Sequence, residues 1–185
     1  MHKAICAAAL LAASAALAQA APAAVRAPAQ PKPAPELAQL KVFAAAYACA
    51  GRAEASLAAP AHATTGTFGG HTEADKFWLQ VHYAEKKSKQ NPLPQETDEH
   101  WSWDAAAKSF IRVVVDGLGG YGFLLAPGWE DGKLVFTGEY HLGPEKALYR
   151  ETYAKEGADL VISAELQQGG AWTSLGGTRC KKTSK

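Results

Sequence analysis

Apolar and polar residues alternate along much of the chain, a pattern typical of antiparallel strands that bury one face. In the central part, turn-forming clusters such as Asp116–Gly120 and Glu130–Lys133 separate the apolar runs. Their spacing of about 8 to 12 residues is typical of an all-β barrel or sandwich. The runs predict consecutive strands at Trp101–Trp103, Phe110–Val115, Tyr121–Leu125 and Leu134–Tyr140.

Similar patterns on both sides of this region extend the predicted sheet. Strands are predicted from Tyr47, at Thr64–Phe68, Phe77–Tyr83, Lys146–Tyr153, Asp159–Gln167 and Ala171–Lys181. No helical pattern interrupts them, which excludes an alternating α/β fold. The predicted fold is all-β, an antiparallel up-and-down barrel of about ten strands with a short N-terminal helix that starts at Pro35 and covers one barrel end.

The connection from Lys86 to Thr97 is polar and contains two prolines. Loops of this length are uncommon and are often mobile or functional. We therefore expect a long loop between two neighbouring strands.

The N-terminus predicts export. A short positive start and an apolar run precede Ala18-Gln19-Ala20, a small-residue cleavage site. Residues 1–20 are a predicted signal peptide, 21–35 an Ala/Pro-rich linker and 36–185 a β-barrel domain. The apolar run is shorter than the roughly 20 residues that span a bilayer, so no membrane span is predicted, and the expected location is the periplasm or the extracellular space.

The charge of the mature chain argues against nucleic acid as a partner. Loss of Lys3 with the signal peptide leaves eighteen basic and eighteen acidic residues. Proteins that bind nucleic acid usually carry a basic surplus or stripe.

Two cysteines, Cys49 and Cys180, remain in the mature chain. In an oxidising compartment an even pair favours a disulfide, and neither has the neighbouring ligands that a metal site needs, so no metal site is predicted. The bridge would tie the first strand to the last, which are neighbours in a closed barrel. A sandwich could satisfy the same pairing.

The chain resembles a bacterial family, domain of unknown function 1579, whose members look like lipocalin-type barrels. The resemblance rests on segments spread over nearly all of the folded region, namely Pro35–Phe43, Tyr47–Arg52, Trp101–Phe110, Val115–Gly119, Trp129–Gly138 and Leu148–Thr152. The resemblance implies that residues 36–185 form a lipocalin-like β-barrel domain. The family has no agreed activity, so the resemblance implies no function.

Catalytic signals are weak, and the sequence leans against an enzyme. No Gly-x-Ser-x-Gly elbow is present, and a nucleophile would need a base and an orienting group within reach. The acids on or beside predicted strands are interpreted as solvated surface residues, namely Glu54, Asp98, Glu99, Glu139, Glu151 and Glu165. No catalytic residue is assigned.

The histidines offer one alternative. Some lipocalin-like barrels hold haem through a single histidine, which makes His82 or His100 a candidate axial ligand. Both lack the spacing of a specific metal motif, so no cofactor is assigned and haem is kept as the alternative.

The favoured function is binding of a small hydrophobic or amphipathic molecule in a barrel cavity. The alternatives are a haem-binding barrel and a structural or interaction protein of the cell envelope. Arg112 lies in a strand that is apolar on both faces; it could meet an acidic ligand head, although an outward orientation or pairing with a nearby glutamate is favoured. The candidate ligand-binding residues are Tyr83, Trp101, Trp103, Arg112, Phe136, Tyr140 and Tyr149.

Overall fold

A computed structural model of the chain describes residues 30–55 and 60–183. They form eleven antiparallel strands, a 3₁₀ helix at Pro35–Phe43 and a 3₁₀ turn at Ala74–Lys76. The strands are β1 Ala46–Ala53, β2 His62–Glu73, β3 Trp78–Glu85, β4 Glu96–Asp104, β5 Ser109–Asp116, β6 Tyr121–Ala126, β7 Trp129–Glu130, β8 Lys133–Leu142, β9 Glu145–Glu156, β10 Asp159–Gln168 and β11 Ala171–Lys182. The predicted signal peptide and most of the predicted linker lie outside the described residues.

The sheet closes on itself. From β1 to β6 each strand pairs with the next, β6 pairs with β8, β8 to β11 pair in order, and β11 returns to β1. Ten strands therefore form the ring, while the two-residue β7 only makes a hairpin with β8. The predicted all-β, up-and-down barrel of about ten strands is confirmed.

The disulfide lies where the first and last strands meet. Cys49 of β1 is directly opposite Cys180 of β11 in the antiparallel register, and the two sulfurs are bonded. Both cysteines are buried in the core. The predicted pairing is confirmed, and it joins the two ends of the sheet at the seam of the barrel.

The N-terminal helix covers one end of the barrel, as the sequence predicts, in 3₁₀ geometry. Proline lies in its first turn and Glu36 follows it, which suits a helix start. Leu40 and Phe43 are buried, and the Phe43 ring lies 4.8 Å from that of Trp101 and 5.2 Å from that of Tyr153, centroid to centroid. The helix is therefore part of the core.

The barrel interior has two halves. We call the interior next to the helix the packed half; its large side chains Phe43, Phe68, Trp101, Phe136 and Tyr153 are at most 3% exposed. We call the interior at the other end the open half. Several of its inward-facing residues remain partly exposed, namely Tyr83, Tyr140, Ala147, Tyr149, Glu151, Ala164 and Leu166.

The structure corrects one boundary. β4 begins at Glu96, whereas the sequence pattern places the strand at Trp101–Trp103 and a loop before it. Inward and outward residues alternate along the added residues, with Thr97 and Glu99 buried and Asp98 exposed. The extension brings a carboxylate into the barrel.

The described residues contain no helix with the length and apolar character needed to cross a membrane.

Candidate ligand site in the open half of the barrel

A buried ion cluster lies between the two halves. The Arg112 guanidinium donates through Nε to Glu99 Oε2 at 2.7 Å and through Nη2 to Glu99 Oε1 at 2.8 Å. Its third nitrogen, Nη1, contacts Glu151 Oε2 as an ion pair whose atoms are not aligned for a hydrogen bond. The side chains of Arg112 and Glu99 are each 3% exposed, while that of Glu151 is 14% exposed.

Strand parity explains why these residues meet. Glu99 lies two residues before Trp101 on β4, and Glu151 lies two residues before Tyr153 on β9, so each carboxylate shares the inward face of its strand with an aromatic residue. The guanidinium lies between 5.6 and 5.8 Å from the ring centroids of Trp101, Phe136 and Tyr153. Arg112 thus rests on the aromatic side chains of the packed half and presents the cluster to the open half.

Glu99 is saturated by donors from the protein. Besides the two bonds from Arg112, it accepts one from Trp101 Nε1 at 2.7 Å and one from Thr97 Oγ1 at 3.1 Å. A carboxylate has about four lone-pair sites, so Glu99 has no free acceptor for a ligand. Glu151, by contrast, interacts with Arg112 and with the Tyr153 hydroxyl, and its side chain is more exposed than that of Glu99.

The cluster holds two carboxylates and one guanidinium, and the pKa values reflect that imbalance. Burial disfavours the charged form of Arg112, but the carboxylates of Glu151 and Glu99 outweigh this and raise its pKa well above the ordinary value. For Glu151, burial raises the pKa and the nearby Glu99 adds to the rise, while Arg112 opposes it. Glu151 therefore holds its proton more tightly than an ordinary glutamate.

Three tyrosines surround the open half and stay protonated at neutral pH. Burial, with contributions from Glu85 and Glu151, raises the pKa of Tyr83 to about 12. Burial and the charge of Glu151 raise the pKa of Tyr149 well above its usual value. These hydroxyls can donate hydrogen bonds.

Tyr140 has a structural role at the rim. Burial and its hydrogen bond to Asp116 Oδ2 raise its pKa. Asp116 Oδ1 also accepts from the backbone N–H groups of Leu118 and Gly120 at 2.7 and 2.8 Å. A side chain at Gly120 would collide with this carboxylate, so the glycine allows the contact that ties the β5–β6 turn to β8.

The long loop between β3 and β4 is fixed to the mouth of the barrel. Glu85 Oε2 accepts from Asn91 Nδ2 at 3.0 Å and from the Gln95 backbone N–H at 3.1 Å, while Glu85 Oε1 lies 3.3 Å from His62 Nε2. Asn91 is buried although it lies in a polar loop. The loop therefore contributes a side chain to the open end.

The predicted ligand residues do not form one site. Tyr83, Tyr140 and Tyr149 lie in the open half, whereas Trp101 and Phe136 belong to the packed half. Trp103 packs against Phe110, with ring centroids 5.0 Å apart. Arg112 is buried and paired with a glutamate of the same chain, the alternative that the sequence analysis favours over an acidic ligand head.

The prediction that the acids are solvated surface residues is wrong for Glu99 and Glu151. The structure places both side chains inside the barrel. The signal that could have found them is parity, because each lies two residues from an aromatic residue predicted to face the core. Glu54, Asp98 and Glu139, from the same set, are exposed.

The two histidines of the haem alternative lie on the outer face. His82 and His100 each keep a side chain that is 45% exposed. Nδ1 of His82 lies 2.9 Å from Asp98, and Nδ1 of His100 lies 2.7 Å from Glu73. Neither ring faces the interior, so a haem held inside the barrel would be out of their reach.

Metal binding has no geometric support in the part of the chain that the structure describes, where no three His, Cys, Asp or Glu side chains lie close enough to hold an ion.

A second apolar surface lies outside the barrel. Outward-facing residues of β5 and β6 pair across the strands, with Val113 opposite Phe123 and Val115 opposite Tyr121. Phe123 and Tyr121 are 53% and 54% exposed, and the Tyr121 ring stacks on His141 of β8. We call this surface the outer apolar face; patches of this kind often mark contact sites, and it has to be distinguished from an interior site in any binding experiment.

Comparison with known proteins shows the fold and nothing more. No protein-family model matches the chain, and no curated protein matches it. Among solved structures, it is similar to the crystal structure of Rv2717c from M. tuberculosis, with a TM-score of 0.65 and 11% sequence identity over 83% of this chain and 100% of that chain. At this identity the likeness concerns the barrel architecture. The resemblance to domain of unknown function 1579 stays a prediction.

Proposed function

We propose that this protein is an exported barrel that binds a small hydrophobic or amphipathic molecule in its open half. The observation that carries the proposal is the contrast in exposure along the interior. Large side chains fill the packed half, whereas inward-facing residues of the open half, among them Tyr149, Ala164 and Leu166, remain partly exposed. Barrels of about this strand number can hold one small ligand.

The lining of the open half suits an amphipathic ligand. Leu166 and the rings of Tyr83 and Tyr149 offer apolar surface, while the tyrosine hydroxyls and Glu151 offer hydrogen-bonding groups. Ligand sites commonly combine a mostly apolar lining with a few polar groups that fix orientation. The hydrocarbon part would lie against the rings, and the polar part would lie near the ion cluster.

Export is part of the same proposal. The disulfide between Cys49 and Cys180 supports it, because such bonds persist in oxidising compartments. The predicted signal peptide supports it from the sequence. Membership of the lipocalin-like family of unknown function also stays within this proposal.

The test is a titration with a neutral fluorescent probe, N-phenyl-1-naphthylamine, followed by displacement with dodecanol. We expect saturable probe binding that dodecanol reverses. Ala164→Trp should abolish binding, because Ala164 lies opposite Glu151 in the β9–β10 register and a bulky ring there would fill the open half. The matched control is Ala63→Trp, at an exposed position on β2, which should bind as the wild type does.

A second control removes the outer apolar face from consideration. Phe123→Ser makes that face more polar without touching the interior, and we expect probe binding to persist. If Phe123→Ser abolishes binding while Ala164→Trp leaves it intact, the site is outside the barrel and the proposal is wrong. Thermal melts of each variant show whether a loss of binding reflects a loss of fold.

A further inference from the structure

Resting on the proposed function, we propose that the ligand of the open half carries a protonated amine, and that the Glu151 carboxylate receives it. The alkyl part of such a ligand would occupy the apolar surface already described. This deepens the proposed function by assigning the chemical class of the head group and the residue that recognises it.

The side chains that face the open half carry more buried carboxylates than buried cations. Three glutamates of the described residues have side chains that are 14% exposed or less and face the open half, Glu85, Glu99 and Glu151. Among the residues that the structure describes, Arg112 is the only buried arginine or lysine, and His62, which lies beside Glu85, is the only buried histidine. A buried surplus of negative charge is costly unless a positive partner or a proton offsets it, so the interior favours a cationic guest over an anionic one.

The three carboxylates differ in how many hydrogen-bond donors of the protein they already bind. Glu99 is saturated by Arg112, Trp101 and Thr97. Glu85 is held by Asn91, the Gln95 backbone and His62. Glu151 interacts with Arg112 and with the Tyr153 hydroxyl, which is fewer partners than Glu99 has. It is also the most exposed of the three, which makes it the carboxylate that a ligand can reach.

One buried acceptor of the open half lacks a donor. Within the described residues, Asn91 Oδ1 is a buried oxygen with no hydrogen-bond partner, and Asn91 is only 3% exposed. Buried polar atoms nearly always have a partner. An ammonium group brings three donors and no acceptor, whereas a carboxylate head would bring a further negative charge beside Glu99 and Glu151.

The raised pKa of Glu151 agrees with this picture, since burial and Glu99 destabilise its charge more than Arg112 and the Tyr153 hydroxyl stabilise it. A bound ammonium would stabilise the ionised form. Binding of an amine should therefore release a proton from the protein at a pH near the raised pKa.

The experiment compares three ligands of equal chain length, dodecylamine, dodecanol and dodecanoate, by calorimetric titration at pH 7.5. We expect the amine to bind at least about tenfold more tightly than the alcohol, equivalent to about 1.4 kcal/mol, and the carboxylate to bind most weakly. Butylamine, which has the same head and little tail, should bind far more weakly than dodecylamine.

Glu151→Gln keeps the size of the side chain and removes its charge. In this variant the preference for dodecylamine over dodecanol should fall to less than about threefold, mainly through a loss of affinity for dodecylamine. The matched control is Glu145→Gln, an exposed carboxylate on the same strand, which should keep the full preference.

The outcomes separate the two proposals. Equal affinity for all three long-chain ligands, or a preference for dodecanoate, overturns the amine assignment and leaves the proposed function standing. An amine preference that survives Glu151→Gln overturns the role of Glu151. If none of the three ligands binds, both proposals fall, and if butylamine matches dodecylamine, the apolar part of the site is wrong.

Discussion

The two halves of the barrel interior are built from the same alternating strands, but they differ in the size, charge and exposure of their inward-facing side chains. In the packed half, the rings of Phe43, Trp101, Phe136 and Tyr153 form five edge-to-face or tilted pairs, with centroids 4.8 to 6.2 Å apart. In the open half, small residues such as Thr64, Gly66, Ala147 and Ala164 share the wall with tyrosines and carboxylates. The difference is therefore one of side-chain volume and charge.

This contrast indicates how a barrel combines stability with a binding site. Fully buried aromatic side chains supply most of the hydrophobic stabilisation, and the disulfide fixes the seam in the same half. The Arg112 cluster forms the boundary, since its guanidinium touches three rings on one side and two carboxylates on the other. The open half can then keep inward-facing residues that are partly exposed.

The largest expected loss of stability comes from removing Arg112, which lies at the boundary between the packed half and the open half. Arg112→Leu leaves Glu99 and Glu151 buried without their cation, and removing one partner of a buried ion pair typically costs about 3–5 kcal/mol. We expect a fall of about 4 kcal/mol in the free energy of unfolding at pH 7, measured by urea denaturation, with partial recovery on acidification because the carboxylates become protonated.

The control is Arg150→Leu, which removes a partly exposed arginine paired with Glu165 and should cost no more than about 1 kcal/mol. If Arg112→Leu does not fold, Arg112→Lys retains the charge and gives a measurable, smaller loss. A loss of less than about 1 kcal/mol in Arg112→Leu would contradict the role given to the cluster.

The next prediction compares the loss of stability when a side chain is truncated in the packed half with the loss when one is truncated in the open half. Phe136→Ala removes a fully buried ring of the packed half, for which about 3 kcal/mol or more is expected. Leu166→Ala removes a partly exposed side chain of the open half and should cost about 1 kcal/mol. Equal losses in the two variants, measured by the same denaturation, would mean that both halves are packed alike.

The smallest expected effect is a pH-dependent difference in stability between Glu151→Gln and the wild type. Since burial raises the pKa of Glu151 in the folded protein, the folded state binds this proton more tightly than the unfolded state, and the charged form costs stability above the raised pKa. Glu151→Gln should therefore be more stable than the wild type at pH 8, by about 1.4 kcal/mol for each unit of pKa displacement. The advantage should shrink as the pH falls through the raised pKa towards the ordinary value of 4.5. A Glu151→Gln variant less stable than the wild type at pH 8 would show that the attraction of Arg112 outweighs the burial of the carboxylate.

The fold was predictable because alternation and turn residues are local signals. The strand count, the closure and the pairing of Cys49 with Cys180 all follow from period-two patterns and from two cysteines at the ends of the sheet. The helix at Pro35 was recognisable by its proline and its apolar spacing. These features need no knowledge of which side chains meet across the barrel.

The site was less predictable because it depends on contacts across the interior. Arg112 stood out as a charge in an apolar strand, but its partners Glu99 and Glu151 come from strands that do not follow one another in sequence. Glu99 lies between the predicted loop, Lys86–Thr97, and the predicted strand, Trp101–Trp103, so its place on the inward face requires the strand to be extended backwards from Trp101. Acidic residues are usually exposed to solvent, which favours a surface position for both glutamates. The two-residue alternation of the strands instead places both carboxylates on the inward face.

The most direct test of the account is the chemical accessibility of single cysteines placed in each half. Cys49 and Cys180 are bonded to each other, so in a chain without residues 1–20, which contain Cys6, only the new thiol reacts with a small methanethiosulfonate reagent. Ala164→Cys in the open half should be modified rapidly in the folded protein, and Ala126→Cys, at a fully buried position near the helix end, should be protected until the protein unfolds. Equal protection of both thiols would contradict an accessible open half and, with it, the proposed binding site.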